Sequence, residues 1–274
     1  MNSFLSKDMI ADFIPNNTLR RLYTTSQIVR TMLSKITVFF AISYVKLYQK
    51  FKKNSEGIKI GIIGLGHVGA TILHELIKLK PVPLDHILVS TRCPDRHQDY
   101  VESGINVFWD NEKLVTECDF VILSCLPHQA ETVCNNIRGP LANKSEGIFT
   151  FTEEERTPNT IVFSILSGTP QTKLVQMLDN YPCVIRLALD IDLINVTIDK
   201  TTDEEVPLHN CMHAINEILV KSVKLSELLY TYSLAFTGKE NFSDQVMEFF
   251  GDDEGKYCEK AQELLKEFMI AHET

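Results

Sequence analysis

The chain is expected to fold as an α/β protein, a doubly wound and mostly parallel sheet with a small C-terminal helical segment. Three observations predict this. Six short apolar runs alternate with stretches of helical periodicity, the pattern of parallel strands joined by crossover helices. The first run, Ile58 to Ile63, ends on Gly64-x-Gly66-x-x-Gly69, and apolar residues at helical spacing follow at once (Val68, Ile72, Leu73, Leu76, Ile77). Beyond about residue 200, helical spacing is the only regular pattern left.

Strand, tight glycine turn and helix start come in the order that a Rossmann-type dinucleotide-binding βαβ unit requires. Gly64 permits the turn, Gly66 lets the backbone approach a pyrophosphate without a Cβ between them, and Gly69 lets the helix pack close to the strand. The phosphates would meet the unpaired N–H groups and the positive end of the helix. Gly64, Leu65, Gly66, His67, Val68 and Gly69 are therefore candidate cofactor contacts. The alternative is a glycine-rich loop with only a structural purpose.

The helix should run to about Lys80, where Pro81 and Pro83 stop it. His86 to Ser90 reads as the second strand. In this kind of unit an acid at that strand's end binds the ribose hydroxyls of NAD. Here the place is held by Ser90-Thr91-Arg92, with Arg96 four residues on and no acid before Asp95. Hydroxyls beside a guanidinium suit a phosphate, because arginine presents a planar fork of donors. Ser90, Thr91, Arg92 and Arg96 thus point to NADP(H), unless the arginines are simply surface residues.

Gly104 to Phe108 is the third strand, and Asp110 is placed to cap a short helix ending at Glu117. Asp119 to Cys125 has the unbroken apolar character of a central parallel strand. It leads into Leu126-Pro127-His128, a strand-end loop of the kind that lines the crevice of such sheets. A helix over Gln129–Ile137 and a polar loop over 138–159 follow. Thr160 to Leu166 is the fifth strand, ending at Ser167-Gly168-Thr169-Pro170. A helix over Gln171–Leu178 and a sixth strand, Cys183 to Ala188, complete the alternation. Asp190 to Ile198 alternates polar and apolar, which suggests one more strand or an extended connection. Helices are expected over Pro207–Phe236, 242–250 and 256–271, serving as a dimer contact or as cover for the sheet. The resulting division is a basic helical extension (1–55), an NADP-binding domain (56–200) and a helical C-terminal region (201–274).

Composition is that of an ordinary globular protein, with 44% hydrophobic and 23% charged residues. The net charge of −9 argues against nucleic acid as a partner. Residues 1–55 nonetheless carry nine Lys and Arg against Asp8 and Asp12. Their most apolar segment, Ile36 to Val45, is about ten residues, against the roughly 20 of a spanning helix. A helix packed on the main domain is the expectation, ahead of membrane contact through residues 1–55. Asp8 and Asp12 count against a mitochondrial presequence, so cytoplasmic placement is expected. Seven cysteines without a CxxC pair read as reduced thiols and give no metal site.

Taken together, residues 58–188 resemble the N-terminal domain of the pyrroline-5-carboxylate reductase family. The similarity rests on Ile60 to Gly66, Ser90-Thr91-Arg92, Asp119 to His128, Ser164 to Gly168 and Val184-Ile185-Arg186, all in the family's order. It implies NADPH seated over Gly64–Gly69, with its nicotinamide near Cys125, Leu126, Pro127, Ser167 and Gly168. Leu126 stands where the family has lysine, and Ala188 to Asp192 replaces its Asn-Thr-Pro. The family's Ser-Gly-Ser-Gly-Pro-Ala-Tyr substrate motif does not occur between Asp190 and Thr274.

The expected function is an NADP(H)-dependent oxidoreductase reducing an unidentified small imine or carbonyl compound by hydride transfer. The alternative is an NADP(H)-binding regulatory or scaffold protein without catalysis. His67, Cys125, His128, Asp190 and Asp192 are the candidate catalytic groups by position, and their sequence context assigns none of them that role.

Overall fold

Six parallel strands form one sheet in the order β3-β2-β1-β4-β5-β6. They are β1 Ile60–Ile63, β2 Ile87–Ser90, β3 Asn106–Phe108, β4 Phe120–Leu123, β5 Ile161–Ser164 and β6 Val184–Arg186. This is the Rossmann order, whose direction reverses between β1 and β4. The computed structural model describes residues 17–51, 57–146, 159–192, 194, 218, 221–239, 241–251 and 257–263.

At the edge, β3 is exposed at Asn106 and half-buried beyond it, but all four residues of β1, β2, β4 and β5 are buried, so those strands are covered on both faces. That is why their sequences are apolar runs without alternation. The helices are α1 Asn17–Phe51, α2 His67–Leu79, α3 Gln98–Glu102, α4 Asn111–Glu117, α5 Ala130–Glu146, α6 Gln171–Met177, α7 Leu225–Thr237 and α8 Asp244–Phe250. Asp110 caps α4 as expected, accepting from the Lys113 backbone N–H at 2.8 Å.

The expected helix packed on the main domain is present as the 35-residue α1, and its buried part is longer than the sequence suggested. Within Thr25–Phe51 an 18-residue stretch has a mean hydropathy of 1.5, and the helix is long and apolar enough, by length and composition, to cross a membrane; 72% of that stretch is buried inside the protein. Counting only Ile36–Val45 missed this, because Lys35 and Lys46 bound that run, yet Ile28 and Met32 before it and Leu47 and Tyr48 after it are buried too. Ser34 and Thr37 donate to carbonyls one turn back, Arg30 O and Leu33 O, and so enter the core with their hydroxyls bonded. Phe40 and Tyr44 pack on Phe163 of β5 and Phe120 of β4, with ring centroids 5.5 Å apart in each pair.

α7 closes the same layer. Tyr232 donates its hydroxyl to Phe40 O at 2.9 Å, and Phe236 stacks on Phe51 at 4.8 Å. Its apolar residues, Leu228, Leu229, Leu234 and Ala235 among them, are buried within this chain. Of the two roles expected for the helical tail, α7 therefore shows the covering one.

Other boundaries shift. α5 continues through Pro140 to Glu146, where a polar loop was expected; Lys144 near its end donates to Cys118 O at 2.6 Å and ties that last turn to the sheet. Residues 147–158 of the expected loop lie outside the described residues. The expected extended segment after Asp190 begins instead as a helical turn, closed by Ile194 N–H to Asp190 O at 3.1 Å. Burial explains the confusion: Ile191 is exposed and Ile194 buried, a helical spacing inside an alternating sequence. The expected helix over Pro207–Phe236 is interrupted at Val223-Lys224 before α7, and 207–217 lie outside the described residues. Of the last expected helix, residues 259–263 are helical and 264–271 lie outside them.

Candidate functional site at the carboxyl edge of the sheet

The site is built where β1, β2 and β4 end. Gly64 leaves β1 at φ +98°, a left-handed conformation open to glycine at little cost. Its N–H donates to Ser90 O at 2.9 Å, while the Ser124 hydroxyl donates to Gly64 O at 2.6 Å. A Cβ at Gly64 would stand 2.8 Å from the Cys125 nitrogen. The turn is thus clamped between the ends of β2 and β4, and the glycine loop and the Cys125 loop touch.

Gly69, one turn into α2, is buried against the Gly64 carbonyl, so a larger residue there would push the helix off the turn. Gly66 differs. It is exposed, no atom lies within 4 Å of where its Cβ would project, and as N-cap of α2 it provides no side-chain cap. No acid sits in the first turn of α2. Open space, unbonded N–H groups and the positive end of the helix dipole converge on one point, which is what a pyrophosphate requires. Leu65 and Val68 are half-buried and His67 is exposed beside this opening.

At the end of β2 the predicted phosphate ligands separate. Ser90 is buried, and its hydroxyl donates inward to Asn111 Oδ1 at 2.7 Å. Thr91 is half-buried with its N–H on Phe108 O at 2.9 Å, and Arg92 and Arg96 are exposed. With the Gln129 amide turned oxygen-first, both terminal nitrogens of Arg92 donate to it, at 2.9 and 3.0 Å. Arg92 therefore reaches from the β2 end to the Pro127–Gln129 turn that follows β4.

Leu126, Pro127 and His128 are exposed in that turn, whereas Cys125 is half-buried and burial pushes its thiol up to about 11. At neutral pH it is a protonated thiol rather than a nucleophile. Ser167 and Gly168 form an exposed turn after β5, with Gly168 at φ +73°. Asp190 pairs with Lys221 at 3.7 Å, and Asp192 is exposed. Among the described residues, no group of three His, Cys, Asp or Glu could hold a metal. The cavity lined by Lys46, Gln49, Lys50, Phe249, Lys260 and Ala261, of about 390 Å³, lies between α1 and the C-terminal helical segment, away from this edge.

Three residues that hold the site together were not singled out from sequence: Ser124, Asn111 and Gln129. Each contact spans a distance in the chain, 60 residues for Ser124 to Gly64 and 21 for Ser90 to Asn111. The one local signal was a polar residue, Ser124, ending an otherwise apolar strand.

Residues 59–146 match the family model described as NADP oxidoreductase, coenzyme F420-dependent. The chain is 30% identical over 197 residues to NADP-dependent oxidoreductase domain-containing protein 1 of Mus musculus, covering 70% of this chain and 51% of that protein. It is 22% identical over 181 residues to pyrroline-5-carboxylate reductase of Arabidopsis thaliana, covering 62% of this chain and 59% of that one. Among solved structures, Plasmodium falciparum pyrroline carboxylate reductase with NADP bound aligns with a TM-score of 0.39 at 18% identity, over 67% of this chain and 64% of that one. The chain spans between 51 and 59% of the length of these curated relatives. Residues 59–146 are thus similar to the NADP oxidoreductase, coenzyme F420-dependent family, in a chain that resembles pyrroline-5-carboxylate reductase and NADP-dependent oxidoreductase domain-containing protein 1.

Proposed function

We propose that this chain is an NADP(H)-dependent oxidoreductase acting on a small imine or carbonyl compound. The observation that carries the proposal is the opening at Gly66: an uncapped helix N-terminus facing free space at the strand-order reversal. Its neighbours give the choice of nucleotide. Thr91, Arg92 and Arg96 stand at the β2 end, where an acid would select NAD. The family of residues 59–146 and the two curated relatives support the same cofactor class.

In this proposal the first-turn N–H groups of α2 bind the pyrophosphate, and Gly66 gives it room. Arg92 and Arg96 hold the phosphate on the adenosine ribose, Thr91 adding a hydroxyl. Ser90 acts at one remove by fixing Asn111 and the start of α4. The Cys125-Leu126-Pro127 loop and the Ser167-Gly168 turn flank the nicotinamide end and exclude water there. NADPH supplies the hydride when bound.

Calorimetry with NADPH and NADH, on the full chain and on Arg92→Ala, tests this. NADPH is expected to bind at least tenfold more tightly than NADH, and the variant to lose most of that preference. If neither nucleotide binds, the glycine turn is structural and the proposal falls. Loss of NADPH absorbance across a panel of imines and carbonyl compounds then separates an enzyme from a protein that binds the nucleotide without turnover.

A further inference from the structure

Trp109 is the chain's sole tryptophan, and it is 73% exposed, more than any other large hydrophobic side chain described. It follows β3 directly. Ser90 pairs with Phe108, and the Thr91 N–H continues that ladder onto Phe108 O at 2.9 Å. One more step in register puts Trp109 beside Thr91, one strand spacing from the turn that carries Arg92.

The corner that displays it is rigid. Phe108 is fixed on one side by Thr91, Asp110 caps α4 through Lys113 at 2.8 Å, and Asn111 accepts from Ser90 at 2.7 Å. The backbone of Trp109 is therefore fixed at the carboxyl edge of the sheet, at the end of β3 and next to the end of β2. Lys113 stands over the neighbouring Phe108 ring at 5.0 Å, which adds positive charge to that corner. Lone exposed apolar side chains are common. This one, however, lies on the adenosine side of a site whose pyrophosphate seat is at α2.

We propose that Trp109 is the stacking platform for the adenine ring of the bound dinucleotide. This rests on the NADP(H) proposal above and extends it to a residue that neither the glycine turn nor the arginines imply. An indole offers a purine a wide π-face, and stacking of this kind tolerates any base. With Arg92 on the ribose phosphate and Trp109 on the base, the adenosine half would be gripped from two directions.

A single tryptophan makes the test direct. Intrinsic fluorescence and calorimetry are measured on the full chain with NADPH, adenosine 2′,5′-bisphosphate and nicotinamide mononucleotide. Saturable quenching by the first two, and none by the third, is expected. Trp109→Ala should weaken both adenosine-containing ligands about tenfold, and Trp109→Phe should keep most of the affinity. Calorimetric binding of NADPH with unchanged emission and an unweakened Trp109→Ala variant overturns the stacking role and leaves the NADP(H) proposal standing. Absence of any NADPH binding overturns both.

Discussion

A methyl group added at Gly69 would overlap the Gly64 carbonyl and stand 2.8 Å from Ser124 Oγ, while one added at Gly66 would meet nothing. Gly69→Ala is therefore expected to cost about 1–3 kcal/mol in chemical denaturation, by overpacking. Gly66→Ala should leave stability within about 0.5 kcal/mol of the parent. The same Gly66→Ala variant should lose NADPH affinity, which separates a glycine kept for packing from one kept for a ligand. The thiols divide in a similar way. Burial raises Cys118, Cys134 and Cys183, the last up to about 12, whereas Cys93 is exposed. Iodoacetamide at neutral pH should label Cys93 in the folded protein and reach the other three only in denaturant. Labelling of Cys118 in the folded chain would contradict its placement.

Two tyrosines show how α1 and α7 are joined. Tyr232 spends its hydroxyl on Phe40 O, but the Tyr44 hydroxyl, one turn along α1 from Phe40 and equally buried, has no hydrogen-bond partner among the described residues. Tyr232→Phe should cost about 1 kcal/mol, the net worth of an ordinary hydrogen bond. Tyr44→Phe should be neutral or stabilising, because it removes an unsatisfied polar group and keeps the ring on Phe120. Urea denaturation of both variants checks the pair, and a large loss on Tyr44→Phe would mean that its hydroxyl is bonded after all.

At the scale of the whole molecule, α1 is part of the core. A chain beginning at residue 57 would uncover Phe163, Phe120 and α7 together. It is expected to aggregate or to lose cooperative unfolding, measured by calorimetric scanning against the full chain. The buried ionisable groups also set a pH limit. Burial raises the acids Cys118, Cys125, Cys134, Cys183, Tyr44, Tyr181, Tyr232 and Tyr257 above their ordinary values. Unfolded, they release protons from about pH 8.5 for thiols and about 10 for phenols; folded, they hold them. The native state then binds more protons, so stability falls as pH rises above about 8.5. Tyr48, raised by burial, and Lys59, raised by its hydrogen bond to Glu117, act in the same sense; burial lowers Lys144, which acts in the opposite sense as a single group against these. Midpoint denaturant concentration should be flat near neutrality and decline from about pH 8.5 upward.

The sheet, its six strands and the glycine turn were legible in the sequence, because strands buried on both faces must be apolar throughout and the turn needs glycine at fixed spacing. Asp110 as a cap and Arg92 beside the β2 end were legible for the same kind of local reason. What only the tertiary structure decided involves contacts between distant residues. Ser90 turns inward because Asn111 is there to accept from it, and Gln129 meets Arg92 because β2 and β4 flank β1. Residues 1–55 read as a basic helical extension packed on the main domain, but what that helix packs against was not legible: α1 buries its apolar side under α7 and against the sheet. Local periodicity shows that a helix has an apolar face, and only the assembled sheet and α7 show what covers it.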